Sequence, residues 1–137
     1  MNKIIICIAL TGILAGCASR TLPIEQAKNV PDDKIYSTRF AQPAEGAQKV
    51  TVIRTGGSLT AGGGARYELL VDGVKVASMS TDERVDLYLP RGEHMLSARN
   101  GLWTSIEPQS IVINIPSRYR TYRLDSASAV LLQPAPE

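Results

Sequence analysis

The sequence predicts an all-β domain: a small antiparallel β-sandwich of about seven to eight strands, preceded by a signal peptide and a flexible tether. Three observations carry this reading. Apolar residues recur at every second position from Lys49 onward, and turn residues separate these runs at intervals of roughly 8–12 residues. No window after the first sixteen residues shows the i, i+3, i+4, i+7 apolar stripe of an amphipathic helix. A small barrel fits the same pattern.

The strands follow in order. Val50, Val52 and Ile53 begin a strand that ends near Thr55, and a small-residue loop runs from Gly56 to Gly64. Tyr67, Leu69 and Val71 then alternate with Arg66, Glu68 and Leu70. Asp72-Gly73 is the two-residue signal of a type I′ hairpin, in which both positions need positive φ. Val74 and Val76 open the return strand, which runs to about Met79. After a polar turn at Ser80 to Glu83, Val85, Leu87 and Leu89 alternate with Arg84, Asp86 and Tyr88. Pro90-Arg91-Gly92 turns the chain into Glu93 to Arg99, read as the partner strand, so that four sequential strands form a meander. A longer loop, Asn100 to Pro108, carries Trp103. Ile111, Ile113 and Ile115 mark another strand, and Tyr119 to Leu124 and Ala127 to Leu132 add two more. The sandwich is thus assigned to 49–132, with 133–137 a disordered tail.

Residues 17–48 read as a tether. The stretch after Cys17 is polar, punctuated by Pro23, Pro31 and Pro43, and has no sustained period. A flexible coil of that length spans roughly 30 Å on average. Within it, Ile35, Tyr36 and Phe40 suggest a short first strand docking on the domain.

Residues 1–16 have the layout of a secretory signal. Lys3 supplies a positive start, Ile4 to Leu14 form an apolar run of about 11 residues, and small residues follow at Ala15 and Gly16. That run is too short for a membrane-spanning helix, which needs roughly 20 residues. Leu14-Ala15-Gly16-Cys17 resembles the bacterial lipobox at every position. The resemblance implies cleavage between Gly16 and Cys17, a diacylglycerol on the Cys17 thiol and an acyl chain such as palmitate on its new amine. Three chains give stable anchoring where one is marginal. Cys7 would leave with the signal. Ala18 and Ser19 follow the cysteine where an inner-membrane retention signal would carry aspartate, which implies the periplasmic face of the outer membrane.

Composition narrows the partners. Lys and Arg number 15 against 13 Asp and Glu, and the resulting net charge of +2 is too balanced for a nucleic-acid binder. Arg118, Arg120 and Arg123 form a local basic patch, read chiefly as a solvated strand face. With Cys17 lipidated no thiol remains, which excludes disulfides and leaves stability to the apolar core.

Val52-Ile53-Arg54, Gly56-Gly57-Ser58, Val71-Asp72-Gly73 with Val76-Ala77, and Leu89-Pro90-Arg91-Gly92-Glu93-His94 resemble a group of small uncharacterised β-rich bacterial lipoproteins. The last two elements also resemble the PEGA-type surface β-domain, although here Arg91 separates proline from glycine. The matches cover about half the mature domain and are mostly turn residues. They imply fold and location, and bring no activity. Group members often carry a loop cysteine pair where this chain has Gly63 and Gly101, so no disulfide role carries over.

No catalytic, metal or cofactor site is predicted. His94 is the only histidine, and a triad would draw on Ser58 and Asp82 or Asp86. Yet Gly56-Gly57-Ser58-Leu59-Thr60 is not a G-x-S-x-G elbow, and no helix follows it. The glycine-rich loop also lacks the Gly-Lys-Ser/Thr ending of a phosphate cradle. Asp82, Glu83, Asp86 and Glu93 look like turn and surface groups rather than glycosidase carboxylates. Trp103, flanked by Leu102 and Ile106, is either a plug over the open end of the core or an exposed contact anchor. The candidate contact residues are therefore Trp103, Arg118 and Arg120.

The function expected is that of a non-catalytic envelope lipoprotein, membrane-bound by its lipid and presenting a β-domain to an envelope protein, with no small-molecule substrate evident. An inhibitor, immunity or exclusion lipoprotein has the same architecture and is the alternative. A hydrolase built on His94 is the third reading.

Overall fold

The computed structural model describes residues 22–56, 64–128 and 130–135. The signal peptide, its Gly16–Cys17 junction, and Gly57 to Gly63 with Ser58 lie outside the described residues. What is described is an all-β, sandwich-like fold of two sheets. One orders the strands β1 (Lys28–Asn29), β5 (Glu83–Leu89), β2 (Gln48–Thr55), β8 (Thr121–Asp125) and β9 (Leu132–Pro134). The other orders β4 (Val74–Met79), β3 (Tyr67–Val71), β6 (Gly92–Asn100) and β7 (Gln109–Ile115).

The period-two pattern places the core as expected. Val50 and Val52 of β2, Val85, Leu87 and Leu89 of β5, and Tyr122 and Leu124 of β8 face inward from the five-stranded sheet. They meet Leu69, Val71, Val76, Leu96, Ala98, Ile113 and Ile115 of the other. The hairpin also forms as read: Asp72 and Gly73 have φ of 51° and 79°, and Val71 pairs with Val74 across them. A register shift between Leu69 and Leu70 marks a β-bulge in this pair.

The meander does not form. β5 pairs with β1 and β2, whereas β6 pairs with β3 and β7, so the chain changes sheet at Ser80–Asp82 and again at Pro90–Arg91. Alternation tells which side chains point inward but not which strand lies alongside. A corner of two or three residues bridges the roughly 10 Å between packed sheets as readily as it folds a hairpin. At these corners Asp82 has φ 62° and Gly92 φ 132°, conformations outside ordinary extended backbone. Nor is the sandwich purely antiparallel, since β1–β5 and β2–β8 pair in parallel.

The tether reading is corrected over most of its length. Pro23 and Pro31 each lead into a single 3-10 turn, Ile24–Gln26 and Asp32–Lys34, because a fixed φ near −60° suits the start of such a turn. Between the turns β1 adds to the edge of β5. Ile35 then bridges to Ala77, and the Tyr36 N–H donates to the Val76 carbonyl at 2.7 Å. A short helix, α1 (Thr38–Ala41), buries Phe40, and Pro43 lies just beyond its end. The segment thus crosses from the edge of one sheet to the edge of the other and closes that side of the sandwich with Val30 and Phe40. Two edges are covered that would otherwise expose unpaired backbone. Ile35 and Tyr36 do dock, but as a bridge to β4, and Phe40 does so from a helix.

The tail is corrected too. Leu132 to Pro134 pair with β8, and the Ala135 N–H donates to the Thr121 carbonyl at 2.9 Å. The last strand therefore lies later than Ala127 to Leu132, and the domain runs from about 22 to 135.

Because Phe40 is only 1% exposed and sits in the main core cluster, Phe40→Ala is expected to lower stability by about 3–5 kcal/mol. Urea unfolding at constant pH measures this. A loss under ~0.5 kcal/mol would mean that the segment is dispensable to the fold.

Candidate functional site

The loop between β6 and β7 makes the most exposed apolar feature among the described residues. Leu102, Trp103 and Ile106 are 74%, 62% and 55% exposed, so Trp103 is a projecting group and the plug reading is overturned. The reason is local. Trp103 N–H donates to the Asn100 carbonyl at 3.1 Å, and Ile106 N–H to the Trp103 carbonyl at 3.0 Å, which makes two successive turns. Leu102 N–H donates to the Asn100 side-chain oxygen at 2.9 Å. Side chains on such a ridge point away from the core.

The ridge is anchored below. Gly101 N–H donates to the Arg66 carbonyl at 2.9 Å, and a Cβ on Gly101 would itself lie 2.9 Å from that oxygen. Only glycine allows this approach without backbone movement. Arg99 Nη1 donates to the Thr104 carbonyl at 3.0 Å, while its Nε donates to Glu68 at 2.8 Å. Glu68 also pairs with Lys75 at 2.8 Å. Burial raises the Glu68 pKa, but hydrogen bonds from Lys75 and Arg99 outweigh it and hold the carboxyl below its ordinary value. A loop fixed by these bonds loses little conformational freedom on contact.

The basic patch does not stay together. Arg118 is exposed, its guanidinium 4.6 Å over the Tyr119 ring with Nη2 2.7 Å from the Tyr119 hydroxyl. It borders a shallow depression with Val112, Asn114 and Pro134. Arg120 and Arg123 instead line a groove of about 630 Å³ on the outer face of the five-stranded sheet, together with Lys49 and Arg84. The grouping with β2 and β5 follows from strand register, which the sequence does not display.

His94 is buried on β6 between two acceptors. Its Nδ1 lies 2.8 Å from Asp72 Oδ2 and its Nε2 2.8 Å from the Pro90 carbonyl. A carbonyl only accepts, so Nε2 donates, and Nδ1 is covered by the carboxylate. Both ring nitrogens are thus directed at protein groups. The carboxylate beside His94 is thus Asp72, not Asp82 or Asp86, and Ser58 lies outside the described residues. Asp86 is held by Lys49 and by the Thr51 hydroxyl, and Glu83 by Arg66 and the Ser80 N–H. No group of three or more His, Cys, Asp or Glu side chains that could hold a metal occurs among the described residues. The Asp72–His94 pair was missed because hairpin position alone does not show that Asp72 reaches across to β6.

The fold and these surfaces define a β-sandwich-like protein with a projecting apolar tip and a basic groove. No family model, curated protein or solved structure matches the chain.

Asp72 gives the fold an acid-sensitive contact. Burial raises its pKa, but hydrogen bonds from His94 and from the Met95 N–H outweigh this and hold it below the ordinary value. A carboxyl lowered in the folded state stabilises above its unfolded pKa, about 3.9, and loses that contribution as pH falls toward the folded value. Stability of the wild type is therefore expected to drop as pH falls below about 4. Asp72→Asn is expected to be less stable at pH 7 and to show a smaller drop. Urea midpoints between pH 7 and pH 2 test this; parallel curves for both proteins would refute the assignment.

Proposed function

We propose that this chain is a non-catalytic envelope lipoprotein, held to a membrane by lipid on Cys17, whose domain offers the Leu102–Trp103–Ile106 tip to a protein partner. The tip is the observation that carries the reading. Large aromatic and aliphatic groups on a pre-ordered loop are the usual anchors of protein contacts. The lipobox-like Leu14-Ala15-Gly16-Cys17 supports the anchor, and Ala18 and Ser19 support the periplasmic face of the outer membrane. The engagement of both His94 nitrogens supports a binding rather than a catalytic role.

Two experiments test the two halves. Cys17→Ala is expected to abolish incorporation of labelled palmitate in growing cells, and undiminished labelling would end the anchor reading. For the tip, a photo-crosslinking residue at the neighbouring exposed position 104 in intact cells is expected to trap one stoichiometric partner. Trp103→Ala should leave the unfolding free energy within ~0.5 kcal/mol of wild type yet weaken that partner's binding at least about tenfold. Unchanged binding would overturn the contact role of the tip.

A further inference from the structure

The groove on the outer face of the five-stranded sheet has features of an anion site. Strand register sets Arg84 and Arg123 directly on either side of Ile53, so two guanidinium-bearing residues flank one buried apolar residue. Lys49 and Arg120 complete its positive lining, with Glu25 the one carboxylate bordering it. Lys49 is matched by Asp86 at 2.8 Å, and Arg84 donates to the Asn29 side-chain oxygen at 3.1 Å and the Ile24 carbonyl at 3.3 Å. Arg120 and Arg123 make no ion pair among the described residues, and the Arg123 Nε is buried without a hydrogen-bond partner. A buried guanidinium N–H left unbonded is costly unless a ligand satisfies it. The planar donor fork of arginine suits phosphate oxygens. Apolar lining from Leu22 and Ile53 suits a ligand that is not anionic throughout.

The chain also fixes what lies near. Leu22 lines the groove itself and stands five residues from Cys17. Five residues span at most about 18 Å, whatever their conformation. A lipid on Cys17 therefore keeps this groove close to the headgroup layer, rather than at the end of a long tether.

We propose that the groove seats the phosphodiester headgroup of an anionic phospholipid of the anchoring leaflet, with Arg120 and Arg123 as its principal ligands. This rests on the anchor reading and adds a second, non-covalent contact with the membrane. The test uses the full chain in neutral detergent, titrated with the soluble headgroup glycerophosphoglycerol and followed by amide NMR shifts. Saturable binding is expected, with the largest shifts at Thr121 and Arg123, weakened about 10–30-fold in Arg120→Ala/Arg123→Ala. Arg120→Ala alone, at an exposed position, is expected to weaken it severalfold without touching the fold. No saturable binding, or binding indifferent to both variants, would overturn the proposal. Equal or tighter binding of inorganic phosphate would make this a free-phosphate site, and equal binding of glycerophosphocholine would remove the selectivity for anionic lipid. The probe is soluble, so a negative result speaks only against the groove. Palmitate labelling of Cys17 reports separately on the anchor.

Discussion

The fold turns on one buried cation. Arg54 lies in the inward-facing row of β2, fully enclosed, where the apolar pattern calls for another valine. Its Nη1 donates to the Ala65 carbonyl at 2.5 Å and to the Met79 carbonyl at 2.7 Å, and its guanidinium lies 4.5 Å over the Tyr67 ring. Burial lowers its pKa from the ordinary arginine value, although that value starts high enough for the charge to persist. A single side chain thereby joins the centre of one sheet to the edge of the other. It also gives two carbonyls, one of them buried, a donor at the end where the chain leaves β2. A hydrophobe there would pack, but it would remove the donor that Arg54 aims at both carbonyls. With no disulfide in the described residues to close that end, this cross-sheet tie takes on that role.

The opposite requirement is met along the open side. A two-sheet sandwich leaves edge strands on each flank, and β4 and β5 lie at such edges before the N-terminal segment is added. The turns at Ile24–Gln26 and Asp32–Lys34, the pairing of β1, the Ile35 bridge and the burial of Phe40 cover both. None of these elements has a period, because each is too short to repeat. The sequence displays only their punctuation, Pro23, Pro31 and Pro43, and the same prolines would suit a free tether. Strand positions were legible because alternation is a local property of the chain. Strand partners were not, because corners such as Pro90–Arg91 permit either a hairpin or a crossing, and the choice depends on the whole core.

The surfaces divide along the same line. Trp103 stood out in the sequence as a lone tryptophan beside two aliphatic residues, but its exposure comes from the turn bonds of Asn100 and the glycine-only contact of Gly101 with Arg66. His94 was legible as a strand residue, but the carboxylates weighed beside it were Asp82 and Asp86, and Asp72 reaches it only because the hairpin lies beside β6. Arg120 and Arg123 were visible as charges near Arg118, yet they line a different depression from it, together with Lys49 and with Arg84, which register sets across Ile53 from Arg123.

This separation bears on how the protein can work. The groove faces outward from the five-stranded sheet, whereas the apolar tip extends from the four-stranded one, between β6 and β7. A headgroup in the groove would therefore not compete with a partner at the tip. The docking of 24–41 on the domain also leaves only a handful of residues between Cys17 and the folded segment. Under the proposed anchor, the domain then lies against the membrane by one sheet instead of standing roughly 30 Å clear of it. That orientation restricts which neighbours can meet Trp103. Partner choice would be set by geometry at the surface as much as by the chemistry of the tip.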